Sequence, residues 1–171
     1  MPRRSRSFVV RIDEALTAVL AVALLLLVAV YLPSDWRRSY YGPARVIDGD
    51  TLVVGSVKTR LKGIDAPETG QFCRRDGTLW RCGEASTAAL HGMIAGRNVT
   101  CDGAGRDVYN RVLAVCRVGG RDLNREMVKK GWAVAYGAYE AQEKAAKAAE
   151  AGIWSGEFER PALWREMFKG T

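Results

Sequence analysis

The residues best equipped for chemistry fall into three short strings. Asp48-Gly49-Asp50-Thr51 is followed by Arg60-Leu61-Lys62-Gly63-Ile64-Asp65-Ala66-Pro67-Glu68-Thr69, and Arg111 stands further on in Asp107-Val108-Tyr109-Asn110-Arg111. Three acids, Asp50, Asp65 and Glu68, lie at a turn and at a strand end, where irregular backbone exposes side chains. Oxygen ligands grouped without Cys or His suit a hard cation such as Ca²⁺ or Mg²⁺, and few carboxylates beside waters and a carbonyl fit Ca²⁺ somewhat better. The ordinary alternative is that Asp-Gly is turn chemistry and Pro67 simply ends a strand. Arginine's planar fork can hold two phosphate oxygens at any working pH. Two such forks could neutralise a five-coordinate phosphorus transition state, whereas each taken singly fits a surface ion pair. The single His excludes His-His metal motifs and histidine-pair catalysis.

The elements must bring these groups together. Ala44-Arg45-Val46-Ile47, Thr51-Leu52-Val53-Val54 and Val57-Lys58-Thr59-Arg60-Leu61 are β-rich runs around Asp-Gly and Gly-Ser turns. In the last run Val57 and Leu61 share one face, which sends Arg60 to the other. Five extended residues from Arg60 to Asp65 would cover about 16 Å. The chain must therefore bend, with Gly63 the candidate, for both to reach one phosphate. Gly83-Glu84 opens a helix to about Ala95 with Ala89, Leu90, Met93 and Ile94 as its stripe, and Gly96 stops it. His91 beside that stripe is a surface or packing residue. Val99 to Val118 form a second β region, Leu123 to Lys130 a short helix, and Ala138 to Ala151 a helix supported by Glu140–Lys144 and Glu143–Lys147 pairs. Gly152 caps it, and Ile153-Trp154 folds back. Short strands and three modest helices make an α+β domain on a small barrel.

The chain has 171 residues, 26 Lys+Arg against 19 Asp+Glu, and a formal net charge of +7. That length suits one domain with an appendage, and 48% hydrophobic with 26% charged residues is a globular composition. The appendage is Ala15 to Leu32, in which Thr17 is the only clearly polar residue. Such a run spans about 27 Å as a helix, close to a bilayer's hydrocarbon core. Arg3, Arg4, Arg6 and Arg11 precede it, so the rest of the chain is expected outside the cytoplasm. A cleaved signal peptide and a buried core helix are the alternatives. The expected organisation is a cytoplasmic N-terminus over 1–14, a transmembrane anchor or signal segment over 15–32, a linker over 33–43 and a domain over 44–171. Trp36 to Tyr41 read as a juxtamembrane stretch. Cys73, Cys82, Cys101 and Cys116 form no CxxC pair, which argues against zinc. Cys101 and Cys116 close the ends of an expected hairpin at bridgeable distance. Cys73–Cys82 and Cys101–Cys116 disulfides are expected, with four buried free thiols as the alternative.

Taken together, Val46-Ile47-Asp48-Gly49-Asp50-Thr51, Arg60 five residues before Asp65-Ala66-Pro67-Glu68-Thr69, Gly83-Glu84-Ala85-Ser86, Asp107-Val108-Tyr109-Asn110-Arg111, Gly131-Trp132-Ala133 and Gly152-Ile153-Trp154 closely resemble the staphylococcal nuclease (thermonuclease) family. The likeness runs in family order from about Ala44 to Trp154. It implies a five-stranded OB-fold barrel with three helices, here preceded by a transmembrane helix. It also implies Ca²⁺-dependent hydrolysis of DNA and RNA by 5′-O–P cleavage leaving 3′-phosphates.

Carried over by position, the resemblance makes Asp50 and Asp65 Ca²⁺ ligands, with the carbonyl of Ala66 a third and Asp48 supporting them from behind. Glu68 would hold or activate the attacking water. Arg60 and Arg111 would clamp the phosphate, and Tyr109 and Tyr136 would line the nucleotide pocket. Val108 stands where a phosphate-contacting Lys is familiar, Asn110 where Gly is usual, and the segment Phe72 to Cys82 departs from the family's flexible basic loop. The expected protein is a monomer with DNA and RNA as substrates, no protein partner, and a membrane attachment through its N-terminal helix. It would sit single-pass in the cytoplasmic membrane with its domain outside, or be secreted after cleavage. The competing function is a tethered, non-catalytic OB-fold module that binds nucleic acid or protein.

Overall fold

Alternating apolar and polar residues resolve into short strands around one curled sheet in the computed structural model, which describes residues 16–27 and 38–168. The chain divides into two units, residues 1–35 and 36–171. In the first, residues 16–27 form helix α1. The rest of the expected apolar segment and the basic residues before it lie outside the described residues. Among the described residues no helix is long and apolar enough to cross a membrane.

In the second unit come β1 (Arg38–Gly42), β2 (Ala44–Val46), β3 (Thr51–Val54), β4 (Val57–Leu61), β5 (Ile64–Asp65), β6 (Cys73–Arg75) and β7 (Thr78–Trp80). Helix α2 (Cys82–Ile94) precedes β8 (Val99–Arg106), β9 (Val112–Val118) and β10 (Arg121–Asp122). Helix α3 (Leu123–Lys129), β11 (Val134–Ala135), α4 (Glu140–Ala148), a 3-10 turn (Gly152–Ser155) and α5 (Pro161–Met167) follow. The main sheet runs β1-β8-β9-β4-β3-β2, with β10 on β9. Its pairs are antiparallel except β4 with β9, which the α2 crossover makes parallel. This curled, partly open sheet with helices packed on it is an α+β arrangement of the OB type.

One core fills the curl: Leu52, Leu61, Val99, Ala114 and Val118 from the sheet, Leu90 and Ile94 from α2, and Leu123, Met127 and Val128 from α3. Helix α2 ends with Ala95 in the left-handed region, followed by Gly96, where the sequence places the stop. Cys101 and Cys116 face each other on β8 and β9 and are bonded, with Cα atoms 4.0 Å apart. The second disulfide, Cys73–Cys82, joins the β6–β7 hairpin to the start of α2. Around it a smaller core gathers Val134 and Ile153, with Trp80, Trp154 and Phe158 against them.

Three features correct the sequence expectation. The sheet has seven strands, not five, because β1 and β10 extend it. Strand β1 occupies residues expected as linker: Tyr40 pairs with Cys101 and Tyr41 with Thr100, so the backbone groups at the edge of β8 are covered from within the chain. A fourth helix, α5, lies beyond the three expected in the domain.

The bend expected before Asp65 is present. Gly63 has φ +82°, and a side chain there would also collide with Ala138, its ideal Cβ falling 2.7 Å from Ala138 Cβ. Buried Asn124 fixes this corner. Its Nδ2 donates to the carbonyls of Lys62 at 2.9 Å and Ala114 at 3.0 Å, while its Oδ1 accepts from Cys116 N at 3.0 Å.

Candidate active site

The β3–β4 hairpin register sets Thr51 opposite Arg60, which places Asp50, one residue earlier, beside the guanidinium. Leu61 N donates to the Asp50 carbonyl at 2.8 Å and closes the mouth of the hairpin. Asp48 Oδ1 accepts from Asp50 N at 3.0 Å, an Asx turn of the kind that Asp and Asn side chains make with the backbone two residues on. After the Gly63 bend, β5 pairs with β11, Asp65 opposite Val134, and returns Asp65 to the same guanidinium. Arg60 Nη1 then donates to Asp50 Oδ1 at 2.9 Å and Nη2 to Asp65 Oδ1 at 2.7 Å. Both carboxylates are nearly inaccessible, with Asp50 4% and Asp65 2% exposed.

Glu68 follows on a loop held from below. Gln71 Oε1 accepts from Glu68 N at 3.3 Å, Gln71 N donates to the Glu68 carbonyl at 2.8 Å, and Gln71 Nε2 donates to the Glu159 carbonyl at 2.6 Å. The loop lies directly on the first turn of α2. A Cβ on Gly83 would fall 1.7 Å from the Glu68 carbonyl oxygen, so only glycine fits there.

Arg111 arrives from the turn between β8 and β9. Asp107 accepts from the Arg111 backbone N at 2.9 Å and from its Nε at 2.7 Å, and Arg111 Nη1 donates to Thr51 Oγ1 at 3.0 Å. Thr51 Oγ1 in turn donates to Asp50 Oδ1 at 3.0 Å. Asn110 holds φ +62° in this turn, a conformation Asn tolerates better than most side chains, which explains how it stands in for glycine.

The resulting cleft, of about 390 Å³, is lined by Asp48, Asp50, Arg60, Glu68, Arg111 and Arg165, together with Lys58, Ala66, Pro67 and Tyr109. All the catalytic and metal candidates except Asp65 line it, and buried Asp65 is joined to it through its bonds to Arg60 and Arg165. The tyrosines separate. Tyr109 is on the rim, its ring centroid 5.3 Å from the Arg111 guanidinium carbon. Tyr136 lines a neighbouring groove of about 420 Å³ with Leu113, Val115 and Tyr139, and that groove meets the cleft at Arg60.

Arg165 on α5 is the residue that sequence reasoning missed. Its Nη1 donates to Asp65 Oδ1 at 3.0 Å and to Glu68 Oε1 at 2.8 Å, and its Nη2 to Asp65 Oδ2 at 3.1 Å. No local signal announces this, because its partners lie 100 and 97 residues away. Thr51 and Asp107, which hold Arg111, were also unread, although Asp107 N-terminal to a tight turn is itself a cue.

The site is electrostatically loaded. Burial, with the charges of Asp48 and Asp65, pushes the Asp50 carboxyl up to about 7 against the opposing pull of Arg60 and the Ala66 N–H. For Asp107 burial works the same way, but hydrogen bonds from the Arg111 backbone and side chain outweigh it and hold its carboxyl below the usual range. Burial also opposes the charge on Arg165, yet its bonds to Asp65 and Glu68 raise its pKa above the ordinary value. Among the described residues no three Asp, Glu, His or Cys side chains form a ready metal cage. Asp50 and Asp65 are the buried pair that could hold a cation, and guanidinium groups now bind them.

A family model described as "Staphylococcal nuclease homologue" matches residues 58–156, more than half of the chain. The chain belongs to the staphylococcal nuclease family. It is 34% identical over 163 residues to the succinoglycan biosynthesis protein ExoI of Rhizobium meliloti (strain 1021), covering 91% of this chain and 85% of that protein. An uncharacterized endonuclease of Haemophilus influenzae is 32% identical, with 88% of this chain and 86% of its own length aligned. The micrococcal nuclease of Shigella flexneri is 30% identical, with coverages of 92% and 98%. The matched staphylococcal nuclease region contains Arg60, Asp65, Glu68 and Arg111. It begins after Asp50 and ends before Arg165.

Proposed function

We propose that this chain hydrolyses phosphodiester bonds of DNA and RNA with Ca²⁺ as cofactor, releasing the 5′-oxygen and leaving 3′-phosphates. Family membership makes it a hydrolase of the nuclease class. The observation that carries the finer reading is the convergence of Asp50, Arg60, Asp65, Glu68 and Arg111 on one cleft from four separate chain segments.

The donor set fits a hard divalent cation. Asp50 and Asp65 are buried oxygen donors bridged by one guanidinium, and burial, with the neighbouring charges of Asp48 and Asp65, raises the Asp50 carboxyl to about 7. Asp50, Asp65 and the Ala66 carbonyl would hold the ion, with Asp48 orienting the Asp50 backbone. When bound, the ion would polarise the phosphate and stabilise charge on its oxygens.

The chain's own residues supply the rest. Glu68 lines the open cleft, where its carboxylate would take the proton from the attacking water as that oxygen bonds to phosphorus. Arg60 and Arg111 would hold the non-bridging oxygens and meet the charge that grows on them, each fork oriented beforehand by carboxylates. Arg111, fixed by Asp107 and Thr51, is the better placed to stabilise the departing 5′-oxygen. Tyr109 on the rim and Tyr136 in the adjoining groove would contact the nucleotides on either side of the scissile bond.

The apolar run from Ala15 to Leu32 after four arginines supports a membrane anchor with the domain outside the cytoplasm. Two disulfides, with all four cysteines used, support the same placement. Fractionation with N-terminal sequencing separates anchor from cleaved signal.

Plasmid degradation tests the activity. Nicking and then fragmentation with Ca²⁺, abolished by EDTA and by Arg111→Ala, is the expected result. Equal inactivity of wild type and variant across divalent ions would instead favour a non-catalytic binding module.

A further inference from the structure

Arg165 sits where a cation belongs. Its fork donates to both oxygens of Asp65, at 3.0 and 3.1 Å, and the same Nη1 reaches Glu68 at 2.8 Å. Asp65 Oδ1 also accepts from Arg60, so three of the roughly four acceptor positions of this carboxylate are taken by N–H groups. A divalent ion needs an oxygen of Asp65 at about 2.3–2.6 Å. It would therefore compete with Arg165 for the same oxygens, and the two like charges would repel at close range.

The element carrying Arg165 is lightly held. Helix α5 has seven residues, too few to be stable alone. Leu163, Met167 and Phe168 are at least half exposed, so apolar burial beyond Pro161 holds it only lightly. The segment before it is fastened. Arg74 and Glu157 exchange backbone hydrogen bonds of 2.8 Å, Gln71 holds the Glu159 carbonyl, and Arg160 pairs with Glu143 at 3.0 Å. The tether thus delivers α5 to the cleft, and the three bonds of Arg165 fasten its last turn. Its side chain keeps 35% exposure, leaving water a path to replace them.

We propose that Arg165 is an internal counter-cation which closes the cation site, so that docking of α5 and uptake of a divalent ion at Asp65 exclude one another. This rests on Asp50 and Asp65 being the cation ligands. In the closed state Arg165 neutralises Asp65 and engages Glu68, holding the centre together and inactive. Release would free Glu68 and Asp65 Oδ2 at once, with Arg60 keeping its bond to Asp65 Oδ1.

The test uses the full-length chain and calcium chloride at pH 8. Calorimetric titration of wild type, Arg165→Gln and Arg165→Lys should give at least ~10-fold tighter binding for the Gln variant, with Lys in between. Hydrogen exchange on wild type should show the amides of residues 162–168 losing protection when calcium is added. Unchanged or weaker binding in Arg165→Gln overturns the proposal, as do α5 amides that keep or gain protection. Should the Gln variant fail to fold, the exchange measurement on wild type decides alone. Asp65→Asn and Asp50→Asn separate the two levels of the argument. Calcium that binds wild type, is lost in both Asn variants and ignores Arg165→Gln removes only the gate. Calcium that binds neither wild type nor Arg165→Gln removes the cation reading and the gate with it.

Discussion

Asp107 grips Arg111 twice, accepting from its backbone N at 2.9 Å and from its Nε at 2.7 Å, so the guanidinium is aimed before any substrate arrives. The same carboxylate takes the Tyr109 N–H at 3.0 Å and thereby shapes the turn. Replacing Asp107 by Ala should lower kcat about 10- to 100-fold with little change in KM, since a misaimed fork costs most in the transition state. Asp107→Asn, which keeps the turn contacts, should lose less. Steady-state cleavage of a defined oligonucleotide checks both, and an unchanged kcat in the Ala variant would free Arg111 from dependence on Asp107.

Asp50 should give the cation-free protein an unusual pH response. Its carboxyl rises from the ordinary 3.8 to about 7 on folding, so between those values the folded state holds a proton that the unfolded state has lost. Stability from this group is therefore complete below about pH 4 and is lost as pH rises through about 7. Asp107 and Glu143 act with opposite sign, but their lowered values put their window on the acid side of that range. Thermal unfolding in EDTA should show the wild-type Tm falling relative to Asp50→Asn between pH 5 and pH 8. Curves that stay parallel would contradict it.

Asn124 makes a stability prediction at a distance from the cleft. It satisfies the backbone of Lys62, Ala114 and Cys116 inside the core. Asn124→Ala removes the partner of the Cys116 N–H and the Lys62 carbonyl, while the Ala114 carbonyl keeps the Lys62 N–H at 2.8 Å, and should cost about 2–3 kcal/mol, read as a lower denaturant midpoint at unchanged m. Because the Lys62–Gly63 corner carries Asp65, activity should fall as well, even under conditions where the variant remains folded.

Local pattern made much of this molecule readable. The β3–β4 hairpin, the stop of α2 at Ala95-Gly96, the bend at Gly63 and the Cys101–Cys116 pairing follow from short-range rules of strand period, turn geometry and spacing. The three acids and Arg60 concentrate in two short strings, whereas Arg111, in a third, gains its meaning from the family resemblance. What stayed hidden depends on contacts made across the chain. Strand β1 looks like any aromatic, basic linker until the free edge of β8 is there to receive it. Arg165 in Pro161-Ala162-Leu163-Trp164-Arg165 is an ordinary surface arginine by sequence, and its meaning comes from Asp65 one hundred residues earlier. Tyr136 had the right residue type, but only the fold shows that it lines the next groove.

Glu68 is proposed to activate the water that breaks phosphodiester bonds in this cleft. Its most direct test is single-turnover cleavage of an end-labelled oligonucleotide by wild type and Glu68→Gln, with saturating Ca²⁺ and calcium affinity measured alongside. The rate should drop at least ~100-fold in the Gln variant, within the range general bases contribute, while the protein stays folded and still binds calcium. A Glu68→Gln protein that cleaves at the wild-type rate would contradict it.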